Sequence, residues 1–515
     1  MSNDAKTNNL WDANPLIVIA SNRGPFAFTE KDDGSFDVKR GAGGLVTALW
    51  ALAEQHDVLW VAAALSEDDH KWAAQQNGQP VTVENIKLLL AQAPPERHDP
   101  FYNVISNPLL WFIQHQMWNI PRTPSLTEEV WNAWEDGYVW VNRLFADTIA
   151  AVVEDEPEDR PVIIMPQDYH MYLLPKFLRE KLGTRFQIQP FIHIPWPGPV
   201  GWRILPEPIR NQVFESMLQS DRVGFQTQRD AFNFVQTARF YLDDAHSYGS
   251  RNKITYKAHE VHALPYPISI DIEKVESIAE EPATTLQKNQ IMSVVGDNQV
   301  ILRTDRVEPS KNILRGLESY RDLLTRFPEH RGKVQLLQLL VPSRMGVEEY
   351  SEYLQDIMAQ AGMINADFSE EFWEPVRTIV GNNYSRALAA MQIYDVLLVN
   401  PIADGMNLVA KEGVLVNKRD GVLVLSENAG AVYELGKEAL TVSPFDTYST
   451  ANALHEALTM DRDEKQRRAD NLRKQVRSND VRRWFANQVE DALRAFESQP
   501  KKAETSPTPS AKTSE

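Results

Sequence analysis

The chain has 515 residues, 43% hydrophobic and 24% charged, which is ordinary for a globular protein with a real core and long enough for two large domains. Against 71 Asp and Glu there are 53 Lys and Arg, a net charge of −18. That argues against a nucleic-acid binder, which needs a basic face to displace counterions, but leaves room for a local basic pocket for one phosphorylated metabolite. The absence of cysteine removes disulfides, thiolate catalysis and cysteine-ligated zinc together.

The N-terminal segment MSNDAKTNNLWDANP is polar and lacks the apolar core of a signal peptide. No run is apolar for long enough to cross a bilayer. The expectation is a cytoplasmic protein with no membrane partner.

In chain order, residues 16–20 form a β-branched apolar run that ends in Ser21-Asn22-Arg23-Gly24-Pro25, which is turn chemistry. Gly41-Ala42-Gly43-Gly44 follows, then a segment with helical spacing of apolar residues. Further strand-like runs occupy 58–64, 162–165, 189–194, 222–225, 300–303, 334–341, 396–400 and 421–426, with amphipathic segments between most of them. Strands alternating with helices call for parallel sheets covered on both faces. A division near Pro265-Tyr266-Pro267 splits the units into two groups, and the charged stretch 272–290 has no strand pattern. The expected fold is α/β: two doubly wound, Rossmann-like domains facing across a cleft. Residues 1–266 form the first domain and 267–498 the second, the last helix being a candidate to pack back on the first. The tail 499–515, rich in proline and serine, is expected to be disordered. Ligands in such sheets sit beyond the carboxyl ends of the strands.

The chemistry-bearing residues fall at those ends. Arg306-Val307-Glu308-Pro309-Ser310-Lys311 follows the 300–303 run. Its forked guanidinium and compact ammonium suit a diphosphate, although a solvated loop would look the same in isolation. Asp404-Gly405-Met406-Asn407-Leu408 through Glu412 follows the 396–400 run. It combines a turn with a helix N-terminus, whose free N–H groups suit an anion. The plain alternative is a capping aspartate and a helical glutamate. However, Leu408, Val409 and Ala410 make the helix start apolar, so Glu412 is expected to be partly buried and in need of a partner. The glycines at 41–44 form a weak third phosphate cradle, a tight turn being the plainer alternative. Asp168 and His193 sit at strand ends, where they can face a cleft, although a lone histidine is equally a core residue. Tyr102 and Trp111 lie in a segment of mixed aromatic and polar residues suited to stacking on a sugar or to aromatic core packing. No dense histidine–carboxylate cluster suggests a metal, and His259-Glu260-Val261-His262 lacks the spacing that puts two histidines on one helical face.

Taken together, DGMNLVAKE (404–412), HIPWP (193–197), the YN–SN–LW pattern (102–111), SNR (21–23), GGL (43–45), DYH (168–170), GFQT (224–227), the Arg306/Lys311 pair and LSENAGA (425–431) resemble the trehalose-6-phosphate synthase family of retaining GT-B glycosyltransferases. The resemblance implies transfer of glucose from a nucleotide diphosphate glucose (UDP- or GDP-glucose) to glucose 6-phosphate, with retention and without metal or cofactor. Residue by residue it implies that Arg306 and Lys311 hold the donor diphosphate, with Gly43 or Gly44 nearby. Asp404, with Gly405, Met406, Asn407 and Leu408, meets the donor glucose, beside which His193 lies, and Glu412 binds the ribose. Arg23, Tyr102 and Trp111, joined by Arg344, take the acceptor phosphate, and Asp168 contacts the acceptor sugar. The catalytic set so implied is Arg306, Lys311, Asp404 and His193. Two departures, Val307-Glu308 where the family usually has Leu-Asp and Trp196 where many members have phenylalanine, bear on the acceptor more than on the donor. Alternatives are another phosphorylated acceptor (glycerol 3-phosphate or a cyclitol phosphate) and a non-catalytic sugar-phosphate sensor. The base preference is unreadable, and a homo-oligomer is left open.

Overall fold

The structure, a computed structural model, describes residues 13–41, 46, 50, 56–344 and 348–498. Gly43, Gly44 and the tail 499–515 lie outside the described residues.

Three main sheets organise the chain. In the first, the strands lie in the order Val81–Val83, Ile86–Ala91, Val58–Ala63, Leu16–Ser21, Val162–Pro166 and Gln187–Ile188. All neighbours are parallel except the edge strand Val81–Val83. The second runs Ala245–His246, Lys253–Tyr256, His259–Pro265, Arg222–Phe225, Phe191–Ile192. The 189–194 run therefore does not make one strand. Residues 187–188 pair with the first sheet and 191–192 with the second, and the break falls at Pro190, which has no N–H to give to a ladder. The Gln167–Phe191 bridge and the N–H of Asp168, donated to the Phe191 carbonyl at 2.8 Å, join the two sheets.

The third sheet is parallel throughout, in the order Val376–Val380, Val334–Val341, Gln299–Arg306, Val396–Val399, Val422–Ser426, Leu440–Val442. Counted along the chain this is 3-2-1-4-5-6, the doubly wound order, whose direction reverses between the first and fourth strands and opens a crevice there. The first sheet reverses in the same way between Leu16–Ser21 and Val162–Pro166. The strand read at 300–303 continues to Arg306 because its polar residues neutralise one another. Arg303, fully buried, lies 3.1 Å from Asp305 and donates to the Lys311 carbonyl at 3.0 Å and to Asn400. The next helix, Ile313–Arg326, buries Ile313, Leu317, Tyr320 and Leu324, a stripe at helical period. Its Gly316 is needed for closeness: a Cβ there would lie 2.7 Å from the Arg303 guanidinium.

The charged stretch after Pro267 forms two helices, Ile272–Glu280 and Pro282–Val295. The final helix, Val481–Ser498, sets Trp484 edge-on against Phe191 at 5.0 Å, takes a hydrogen bond from Gln189 to the Gln488 carbonyl at 3.2 Å, and accepts one from Tyr266 on Asp491 at 2.8 Å. One apolar cluster accordingly runs from Ile17 and Trp60 through Tyr266 and Ile268 to Leu397, Trp484 and Leu493. No helix among the described residues is long and apolar enough to cross a membrane.

Candidate functional site

The sequence-predicted residues cluster at the two reversal points. In the third sheet, Arg306 ends the first strand with its side chain 44% exposed, Nη2 lying 3.1 Å from Glu308 Oε2. Lys311, 12% exposed, pairs with Asp404 from the loop after the fourth strand. Burial pulls the Lys311 pKa down, but Asp404 and Glu308 outweigh it, so the ammonium is held above its ordinary value. Asp404 does not cap the helix Leu408–Val416. Asn407 does, at φ 73°, accepting the Ala410 N–H at 3.2 Å while its amide donates to Asp404 at 3.1 Å. Asp404 is thus a carboxylate held by an ammonium and an amide at a helix mouth. Gly405 is pressed against the other half of the molecule, where a Cβ would overlap the His193 carbonyl oxygen. Met406 is buried and Leu408 half-buried.

Glu412, one turn into that helix, is partly buried and accepts a hydrogen bond from the Tyr384 hydroxyl at 3.0 Å. Burial pushes its carboxyl up from 4.5 to about 7, against the pull of that bond. Its neighbour Lys411 is fully buried and donates to the Ile268 carbonyl at 2.9 Å and to Glu434 at 3.0 Å. The helix Leu408–Val416 is thereby tied to the segment that links the two halves.

On the opposite side, Asp168 sits at φ 69° between two sheets, and its carboxylate accepts the His193 N–H at 3.1 Å. Burial pushes its pKa up to about 7, against N–H bonds from His193, Tyr169 and Ile194 and the charge of Arg344. Positive φ at a non-glycine is costly and persists only where the surroundings fix it. Burial pulls His193 down to about 3, so its imidazole is neutral. Gln167 donates to the Met165 carbonyl at 3.0 Å, leaving its oxygen to accept from His193 Nε2 at 3.0 Å. His193 Nε2 therefore carries the proton, and the residue is unsuited to donate one as an imidazolium.

Trp111 opens the helix Trp111–Gln114 and is 5% exposed. Its indole carries both guanidinium groups: Arg344 at 4.0 Å and Arg306 at 5.7 Å from the ring centre. Arg344, at φ 48°, donates to Tyr350 at 2.5 Å and to Tyr169 at 3.2 Å, and Tyr169 donates to Asn107 at 2.8 Å. Tyr102 stacks with His98 and His170. Burial holds His170 neutral, with the charges of Arg344, His98 and Arg23 acting in the same direction. Arg23 is exposed, its carbonyl accepting the Ser21 hydroxyl at 2.7 Å, and Ser21 in turn accepts from the Trp60 indole at 2.8 Å.

The structure thus brings Arg306, Lys311, Asp404, Trp111 and Arg344 into one connected cluster. Gly405 meets His193, whose N–H is held by Asp168. Several members were not singled out by sequence. Glu308 lies within the Arg–Lys loop and is completely buried. His115, one helical turn beyond Trp111, stacks on it at 4.1 Å and donates Nδ1–H to its carbonyl at 2.8 Å. Tyr169 follows Asp168, and Tyr384 comes from a different helix altogether. The i, i+4 spacing is the only signal that could have found His115. Away from this set, Glu329, His330 and His455 bring ligand atoms within 4.8 Å of one another, a cluster the sequence reading did not find. His330 Nε2 and His455 Nδ1 are hydrogen-bonded to each other at 2.9 Å, so one of the two nitrogens carries the shared proton and the other spends its lone pair on it.

Comparison with known proteins shows a match to the model of glycosyltransferase family 20 over residues 15–494. An α,α-trehalose-phosphate synthase (UDP-forming) of Schizosaccharomyces pombe is 31% identical over 469 residues, covering 88% of this chain and 85% of the relative. One from Candida albicans is 30% identical, covering 86% and 90%. Among solved structures, an E. coli protein described as trehalose-6-phosphate bound with UDP-2-fluoro glucose superposes with TM-score 0.79 at 28% identity, covering 93% of this chain and 99% of that one. A Burkholderia xenovorans α,α-trehalose-phosphate synthase in complex with glucose-6-phosphate superposes with TM-score 0.78 at 25% identity, covering 93% and 99%.

Proposed function

The chain belongs to glycosyltransferase family 20, and from that premise we propose that it moves glucose from a nucleotide diphosphate glucose to glucose 6-phosphate, giving trehalose 6-phosphate. The donor is UDP-glucose, in keeping with relatives named UDP-forming, and the transfer retains configuration. The observation that carries this reading is Trp111. Its indole ring meets both Arg306 and Arg344, so the cations suited to a departing diphosphate and to an acceptor phosphate are gathered around one side chain.

In this reading Arg306 and Lys311 grip the diphosphate and neutralise charge as the bond to glucose breaks, the electrostatic contribution that usually dominates such steps. Lys311 leaves Asp404 for the arriving diphosphate, which frees Asp404 and the N–H groups around Gly405 for the glucose hydroxyls. Glu412 takes the ribose. Arg23, Tyr102 and Arg344 hold the acceptor phosphate, and Asp168 orients the acceptor sugar. The attacking hydroxyl gives its proton to the leaving diphosphate oxygen on the same face, so neutral His193 acts as a positioning wall and not as an acid. No pair of carboxylates at glycosidase spacing is required.

The test is mass spectrometry of the product from purified protein given UDP-glucose or GDP-glucose with glucose 6-phosphate, glycerol 3-phosphate or a cyclitol phosphate. Formation of trehalose 6-phosphate from UDP-glucose is expected. Transfer to a different acceptor alone would overturn the acceptor assignment, and no transfer from folded protein would favour the sensor.

A further inference from the structure

Three cations converge on one carboxylate that the reaction does not use. Glu308 is 0% exposed, and its Oε2 lies 3.1 Å from Arg306 Nη2 and 3.9 Å from Arg344 Nη1. Its Oε1 accepts the Ser310 hydroxyl, and its carbonyl takes the Lys311 N–H at 3.0 Å. Burial pushes its pKa up, but Arg306, Arg344, Lys311 and His115 more than reverse this, to about 2, so the group is always charged. Oε2 has no well-aligned donor in spite of the two nearby guanidinium groups. The attraction is therefore one of charge: it leaves the Arg306 N–H groups uncommitted to Glu308 and able to turn to a phosphate, while Arg344 is oriented by its bonds to Tyr350 and Tyr169. A buried carboxylate is costly unless opposing charge holds it, and three cations crowded together are costly without it.

We infer that Glu308 is a shared counter-ion for both phosphate sites: it holds Arg306, Arg344 and Lys311 together in the empty cleft and, by repelling the anions that replace it, limits how tightly nucleotide diphosphate and sugar phosphate are held. This rests on the reading of those sites given above. The sign is the distinguishing feature. A carboxylate that merely braced the loop would, when neutralised, weaken ligand binding. A counter-ion, when neutralised, gives tighter binding at both sites, because the repulsion between a fixed negative charge and the nearby phosphates is removed.

The experiment is isothermal titration of UDP and, separately, of glucose 6-phosphate into the full chain and into its Glu308→Gln and Glu308→Asp variants. For Glu308→Gln both ligands should bind roughly 3- to 30-fold more tightly, with the largest gain at low salt. In turnover KM for both substrates should fall without a rise in kcat, because the phosphorylated products leave more slowly. Glu308→Asp, which keeps the charge but retracts it by one methylene, should lie between. If Glu308→Gln does not fold, the Asp variant decides alone, tighter binding of both ligands supporting the assignment. Unchanged or weaker binding of either ligand overturns it. Wild-type protein that binds neither UDP nor glucose 6-phosphate would instead sink the underlying reading of the site.

Discussion

Donor binding should release a proton from Glu412. The carboxyl is held up at about 7 by burial, with one hydroxyl, Tyr384, donating to it. A raise from 4.5 to about 7 is worth about 3 kcal/mol against the charged form. Ribose hydroxyls donating to the same carboxylate would favour that charged form and return its pKa toward 4.5. The raised group is protonated in the free protein below about 7 and loses that proton in the complex. Affinity for UDP-glucose should therefore climb as pH rises from 4.5 to 7 and level off above. At pH 6 about nine-tenths of the free protein carries the proton, so about 0.9 proton leaves per donor bound, and between pH 8 and pH 5 affinity falls by roughly 70-fold. UDP-glucose is the right probe because its diphosphate, esterified at both ends, does not titrate in this range. Calorimetry at pH 6 in two buffers of different ionisation enthalpy reads the proton directly, with Glu412→Gln as control. Equal proton release from wild type and Glu412→Gln, or none from either, refutes the placement of ribose at Glu412. The same raised pKa makes Glu412 a cost to folding that grows between pH 4.5 and 7, since the unfolded chain releases its proton first.

Three further outcomes follow from the geometry. Arg306→Ala and Lys311→Ala should each lower kcat by roughly 10²–10³ in protein that remains folded; near-normal turnover in both removes them from the diphosphate clamp. Arg23→Ala, at an exposed side chain proposed for the acceptor site, should raise KM for glucose 6-phosphate and leave kcat within a few-fold, and an unmoved KM takes Arg23 out of that site. Lys411→Met strands Glu434 and the Ile268 carbonyl, at a cost of about 3–5 kcal/mol, most of it recovered in Lys411→Met/Glu434→Gln. Urea unfolding followed by tryptophan fluorescence measures it, and a single-variant loss under about 1 kcal/mol would contradict the buried pairing.

Much of the architecture could be read from β-branched runs, because a strand buried on both faces has no other way to be written. Strands without that signature were invisible: Phe36–Arg40, exposed along most of its length, and Val376–Val380, with charge and polarity inside it. Pro190 divided one apolar run between two sheets. The motif residues were findable because they follow strands. What surrounds them was not: Glu308 looks like a surface residue until Arg306 and Arg344 are folded around it, and Tyr384 reaches Glu412 from 28 residues away in the chain. Local pattern carries the period of an element. It does not carry which buried charge will find which partner. The capping role given to Asp404 as one alternative belongs to Asn407 because the lysine, 93 residues earlier, claims the aspartate.

The polypeptide passes between its two halves twice, once at Pro265 to Ile268 and again where the segment before Val481 returns its helix to Phe191 and Gln189. A lid held by a single tether can wander in any direction. One pinned at two places swings like a door, about the line through its pins. Any parting of the halves would then carry Arg306 along an arc past a stationary Trp111, so that the cations arrive on each closing stroke at the same place.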